Sequence, residues 1–90
     1  MHAVVTNVEI AAGHFESALK KLREEVVPRI RKAPGFVKGI WTADGHRGTA
    51  VSVFKTKQDA DNALGTMRSN PLPPGVTMTS GEVREVVAEA

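Results

Sequence analysis

Three histidines, scattered carboxylates and no cysteine make up the reactive side chains of this chain. His2, His14 and His46 are the groups able to exchange a proton near neutral pH. No two of them share metal-ligand spacing, so no metal site is expected. Glu24 beside Glu25, and Asp59 near Asp61, look like paired acids. Adjacent or alternate residues on a helix point apart, so neither pair can share a proton. Without cysteine there is no thiol nucleophile, disulfide or cysteine metal site. A nucleophile–base pair, a phosphate loop and a dinucleotide fingerprint are also missing. What remains is aromatic. Trp41, Ser52 and Phe54 fall on one face of an expected hairpin, a mixed surface that suits a pocket with apolar walls and a few polar contacts.

The elements that must position these residues are legible from periodicity. Ala3 to Ile10 alternates as a strand, with Val4, Thr6, Val8 and Ile10 on one side. From about His14 to Lys32, Phe15, Leu19, Leu22, Val26 and Ile30 form one apolar helical stripe, spaced four, three, four and four. The other face carries Glu16, Lys20, Glu24 and Lys21, Glu25, Arg29, each set four apart and alternating in sign. Pro28 should bend the last turns, and Pro34-Gly35 should end the helix. Phe36 to Trp41 and Thr49 to Phe54 flank a polar turn, predicting a hairpin that pairs Trp41 with Ala50, Gly39 with Ser52, Val37 with Phe54 and Ile40 with Val51. The purely apolar Ile40, Val51, Val53 side is expected under the helices and the Trp41 side over a pocket. Thr56 with Asp59 should cap a helix from about Lys57 to Arg68. The loop from Asn70 to Gly75 is stiffened by three prolines. Val76 to about Val87 completes the set, with Gly81 as the place for a bulge or bend.

This order predicts one domain over residues 1–90, an α+β ferredoxin-like β-α-β-β-α-β fold with a four-stranded antiparallel sheet. Two helices cover one face. The other is expected to keep Val5, Val37, Trp41 and Phe54, whose exposure forfeits of order 10 kcal/mol. A homodimer, sheet against sheet, is the expected remedy. The ligand site is then expected in the gap between the sheets or in a cleft between sheet and helices that the Asn70 to Gly75 loop partly opens. Net charge is +2 and no apolar run approaches the ~20 residues of a membrane span. A cytoplasmic protein with no membrane partner is expected.

Several of these segments are similar to the antibiotic-biosynthesis-monooxygenase-like family. They are Gly13, the Phe15 to Ile30 stripe, Val27-Pro28-Arg29, Pro34-Gly35-Phe36, and Phe54-Lys55-Thr56-Lys57-Gln58-Asp59-Ala60. The similarity spans almost the whole chain, through structural rather than catalytic motifs. It implies a dimeric α+β barrel and a monooxygenase-like oxidoreductase that needs no cofactor. The substrate would be a small aromatic quinol or anthrone held in an apolar pocket. The same resemblance allows a non-catalytic homodimer that binds a small hydrophobic ligand. It implies pocket roles for Asn7 and Trp41, with Ser52 as a further polar contact and Phe54 as a wall.

The family's haem-degrading branch carries a helical tryptophan, a later histidine ligand and a first-strand asparagine. Here the tryptophan position holds Ala63 and the histidine position falls in Leu72-Pro73-Pro74, while either Asn7 or Thr6 takes the third. Haem degradation is therefore expected to be disfavoured. RNA-recognition domains share the element order, and Arg47 to Phe54 echoes their third-strand motif. The stacking aromatics are replaced by Val4, Thr49 and Val51, so no nucleic-acid partner is expected.

Overall fold

A computed structural model describes residues 1–90. Its elements run β1 (His2–Ile10), α1 (Phe15–Lys21), a π turn (Leu22–Val26), α2 (Val27–Arg31), β2 (Phe36–Asp44), β3 (Arg47–Phe54), α3 (Lys57–Ser69) and β4 (Val76–Glu85). The four strands form one antiparallel sheet in the order β2-β3-β1-β4. This is the expected ferredoxin-like topology.

The hairpin is closed by Gly45-His46, with Gly45 at φ 62°, a conformation that its missing Cβ permits. Trp41 pairs with Ala50, Gly39 with Ser52 and Ile40 with Val51, as expected. The pairing of Val37 with Phe54 does not occur. A bulge after Phe36 pushes Val37 out of register and sets Phe36 opposite Phe54. In β4 the irregularity falls at Thr79, between Met78 and Ser80, and not at Gly81. Gly81 instead admits Leu64: a Cβ there would stand 3.0 Å from Leu64 Cδ1.

The two faces of the sheet are exchanged relative to expectation. Register places Val4 beside Ser52 and His2 beside Phe54, so the side with Trp41, Ser52 and Phe54 lies under the helices. Val5 pairs with Val51, which pairs with Ile40, and these three share the uncovered side. Ile40 is 63% exposed there. Trp41 and Phe54 therefore do not belong to an open face. Strand polarity could not choose between the sides. The right-handed hand of a β–α–β crossover chooses which side the helix returns across.

Only ten residues are buried, so the core is small, and it sits on the α3 side. Val4, Phe54, Ala60 and Leu64 form its centre, with Ile30, Phe36, Met67 and Val83 packed around them. Phe36 meets Phe54 edge to face, ring centres 5.8 Å apart. Thr56 caps α3 by accepting the Asp59 N–H at 3.0 Å. At one corner of the open face Ala3 and Val53 are buried, where Glu89 reaches back to Lys38, the residue opposite Val53, at 3.2 Å. No helix is long and apolar enough to cross a membrane.

Phe54 is fully buried, so Phe54→Ala should cost about 3–5 kcal/mol of stability, read as a lower midpoint in urea unfolding.

Candidate functional site

Residues 15–31 do not form one uniform helix. Pro28 has no N–H, and in an α-helix its ring would meet the carbonyl four residues back. The chain meets this with a wider turn over Leu22–Val26, where the Val27 N–H bonds to the Leu22 carbonyl five residues earlier. The extra residue in that turn suits the long spacing of the apolar stripe. It also breaks the surface charge ladder. Lys21 pairs with Glu25 at 3.2 Å, but Arg29 has no carboxylate within ion-pair reach.

This helical rod arches over the sheet and does not pack down on it. Ala18 is its one buried residue. Between rod and sheet lies a cavity of about 610 Å³, within the usual size range of small-molecule sites. Leu19, Leu22, Val26 and Ile30 form its roof, and Thr6, Val8, Ala50 and Ser52 its floor. Met67, Met78 and the segment from Asn70 to Pro73 also line it. Of 30 lining residues 17 are hydrophobic. The site is therefore the cleft between sheet and helices, not a gap between sheets.

Trp41 occupies the β2 side. Its indole lies back over Gly39, where a Cβ would stand only 2.6 Å from the ring. Glycine there lets the ring lie flat against the strand and present an aromatic surface. No hydrogen bond engages the indole N–H or the hydroxyls of Thr6 and Ser52. These are donors and acceptors without protein partners, on the walls of a largely apolar space.

Of the four candidates from sequence, Trp41 and Ser52 line the cavity. Phe54 lies in the core beneath it and is no wall. Asn7 lies on the opposite side of β1. There its Nδ2 donates to Ser80 Oγ at 2.9 Å, and its Oδ1 accepts from Thr49 Oγ1 at 2.6 Å. The alternation along β1 places Thr6, and not Asn7, in the site. No histidine lines the cavity: His14 packs on Gly75, His46 forms the hairpin turn, and His2 flanks Phe54. No group of three or more potential metal ligands is gathered anywhere in the chain.

Sequence reasoning missed Arg23, Arg29, Lys32, Met67 and Met78 as lining residues. The position of Arg23 beside Leu22 and of Arg29 beside Ile30, flanking the stripe, was the available signal. Regular helical spacing hid it by assigning Arg29 to the outer charge ladder.

No family model and no curated protein matches this chain. Solved structures do. One is the heme-degrader MhuD from Mycobacterium tuberculosis, with two hemes bound in its active site. It is 17% identical over 100% of this chain and 99% of that one, with a TM-score of 0.74. MupZ from Pseudomonas fluorescens is 18% identical over 91% of this chain and 69% of that one, with a TM-score of 0.69. A point variant of MhuD with two manganese protoporphyrin IX molecules per active site is 16% identical over 100% and 98%, with a TM-score of 0.65. The chain has the fold of the antibiotic-biosynthesis-monooxygenase-like dimeric α+β barrels.

The expectation against haem degradation is overturned by these likenesses to a heme-degrader. It rested on three single positions. Ala63, Leu72 and Pro73 line the cleft all the same, and its overall shape does not depend on the side chain at any one of those positions.

Trp41 is the chain's one tryptophan and tyrosine is absent, so intrinsic emission reports on the cavity alone. Gly39→Val should lift the indole off the strand and shift that emission to the red, with little change in far-ultraviolet circular dichroism.

Proposed function

We propose that this protein is a homodimer that binds a planar, largely apolar molecule of tetrapyrrole size, haem foremost, between its sheet and the rod of residues 15–31. The observation that carries this reading is the cavity of about 610 Å³ with an apolar roof and the Trp41 ring on one wall. A flat ligand slides between such surfaces and stacks on the indole. Likeness to MhuD supports haem as the molecule to try first.

The donors present are compatible with that ligand. Haem iron accepts thioether sulfur, and Met67 and Met78 bring sulfur to the cavity walls. A Cβ on Gly81 would lie 3.3 Å from Met78 Sδ and 3.6 Å from the Thr6 methyl, which places the sulfur beside the cavity floor. The protein's own contribution is orientation, exclusion of water and free hydrogen-bonding groups at Trp41, Thr6 and Ser52. A bound haem would be the substrate, and its own iron would supply the oxygen chemistry.

Oxygenation of a smaller quinol- or anthrone-like substrate is the second reading. It is favoured by the unengaged Ser52 and Thr6 hydroxyls, which can accept a hydrogen bond from a phenolic O–H on the cavity floor. Oxygen uptake with such compounds, without added metal or flavin, separates it from haem turnover and from binding without chemistry.

The homodimer follows from the uncovered face. Burying Val5, Ile40 and Val51 against a second copy stabilises by about 1.5–3 kcal/mol for each side chain fully covered.

Haem added to the purified chain should quench Trp41 emission and develop a Soret band. Reductant and oxygen should then bleach that band; a stable band means binding without degradation. Trp41→Ala should weaken the complex about tenfold by Soret titration, whereas Asn7→Ala should leave it unchanged. Ile40→Asp should convert a dimeric mass in light scattering into a monomeric one.

A further inference from the structure

We propose that the cavity selects an anionic ligand: an apolar body whose carboxylates are held by Arg23 and Arg29, with Lys32 beside them. This deepens the reading that the cavity takes a planar apolar molecule and rests on it.

The charge of the lining is one-sided. Arg23, Arg29 and Lys32 line the cavity, and no aspartate, glutamate or histidine does. None of the three has a carboxylate within 4 Å; the chain's four ion pairs are Lys21–Glu25, Lys38–Glu89, Lys57–Asp61 and Arg84–Glu82. Arg68 donates to the Gly81 carbonyl at 2.7 Å and Arg84 meets Glu82, while Arg31 and Arg47 are unengaged but do not line the cavity. No side-chain hydrogen bond uses Arg23 or Arg29.

Simpler explanations cover only part of this. Cations near a helix C-terminus interact well with its dipole, which accounts for basic residues in the last turn of α2. Arg31 meets that need equally and does not line the cavity. Glu16 and Glu24 share a shallower depression with Arg23, of about 290 Å³, yet neither comes within 4 Å of it. The π turn is the device that separates Arg29 from Glu25 and leaves it without a partner.

Both arginines are exposed, so they mark the rim and not the depth of the site. A carboxylate held there keeps part of its water, while the apolar portion of the same molecule goes under the rod. Guanidinium groups suit this task because they grip a carboxylate with two parallel hydrogen bonds. A neutral ligand would leave these three solvated charges unused, whereas an anionic one gains from them. A dicarboxylate with an apolar plane supplies one carboxylate for each arginine, with Lys32 as a further positive charge nearby.

The test compares mesoporphyrin IX, which carries two carboxylates, with its neutral dimethyl ester, in the same dilute detergent, by quenching of Trp41 emission. The diacid should bind at least tenfold more tightly, and its affinity alone should fall as salt rises. Arg23→Gln and Arg29→Gln should each weaken the diacid several-fold and leave the ester unchanged, with unaltered melting temperatures showing that both variants fold. Equal affinity for diacid and ester, or equal weakening of both by the variants, would overturn the proposal while the cavity's role in binding stood. Quenching by neither compound would sink both readings together.

Discussion

The structure depends on unequal packing of two helical elements against one face of one sheet. At the α3 side, Val4, Phe54, Ala60 and Leu64 close on each other as one buried cluster. Next to them, residues 15–31 span the same face, with Ile30 touching the core and the rest of the aliphatic stripe standing off, and a cavity of about 610 Å³ opens there. A chain of 90 residues buries a limited share of its surface. Here the tight half supplies the core and the loose half supplies the site. Gly81 belongs to the first half by admitting Leu64, and Gly39 to the second by admitting the Trp41 ring.

Pro28 links local backbone chemistry to the character of that site. A missing N–H and a bulky ring conflict with an α-helix interior; a π turn just before the proline resolves this by leaving Pro28 in the first turn of α2. The turn has two consequences. It follows the long spacing of the apolar stripe, so Leu22, Val26 and Ile30 all face the cavity. It also interrupts four-residue charge spacing, so Arg29 faces the cavity edge without a partner while Lys21 keeps Glu25. One backbone irregularity thus shapes the roof and charges the rim.

The uncovered face divides into two chemistries. Val5, Ile40 and Val51 present aliphatic surface, and Asn7, Thr49 and Ser80 present a hydrogen-bonded polar patch beside it. Asn7 owes its place to alternation along β1, which gives odd-numbered residues to this side and leaves Thr6 on the cavity floor. A resemblance that could be aligned on either residue carried no information about that choice; one step of register did.

Element order, strand alternation, the Thr56 cap, most of the hairpin register and the helical stripe were all determined by sequence, because each depends on neighbours a few residues apart. So was the pairing of Trp41 and Ser52 on one face. Which face the helices cover was decided by the tertiary structure, since crossover handedness is a property of the assembled chain and both faces of the hairpin are apolar enough to be buried. The bulges at Val37 and Thr79, the π turn at Leu22–Val26 and the gathering of Arg23, Arg29, Met67 and Met78 around one cavity are likewise tertiary. They arise where local spacing conflicts with packing, and no window of sequence contains both sides of that conflict.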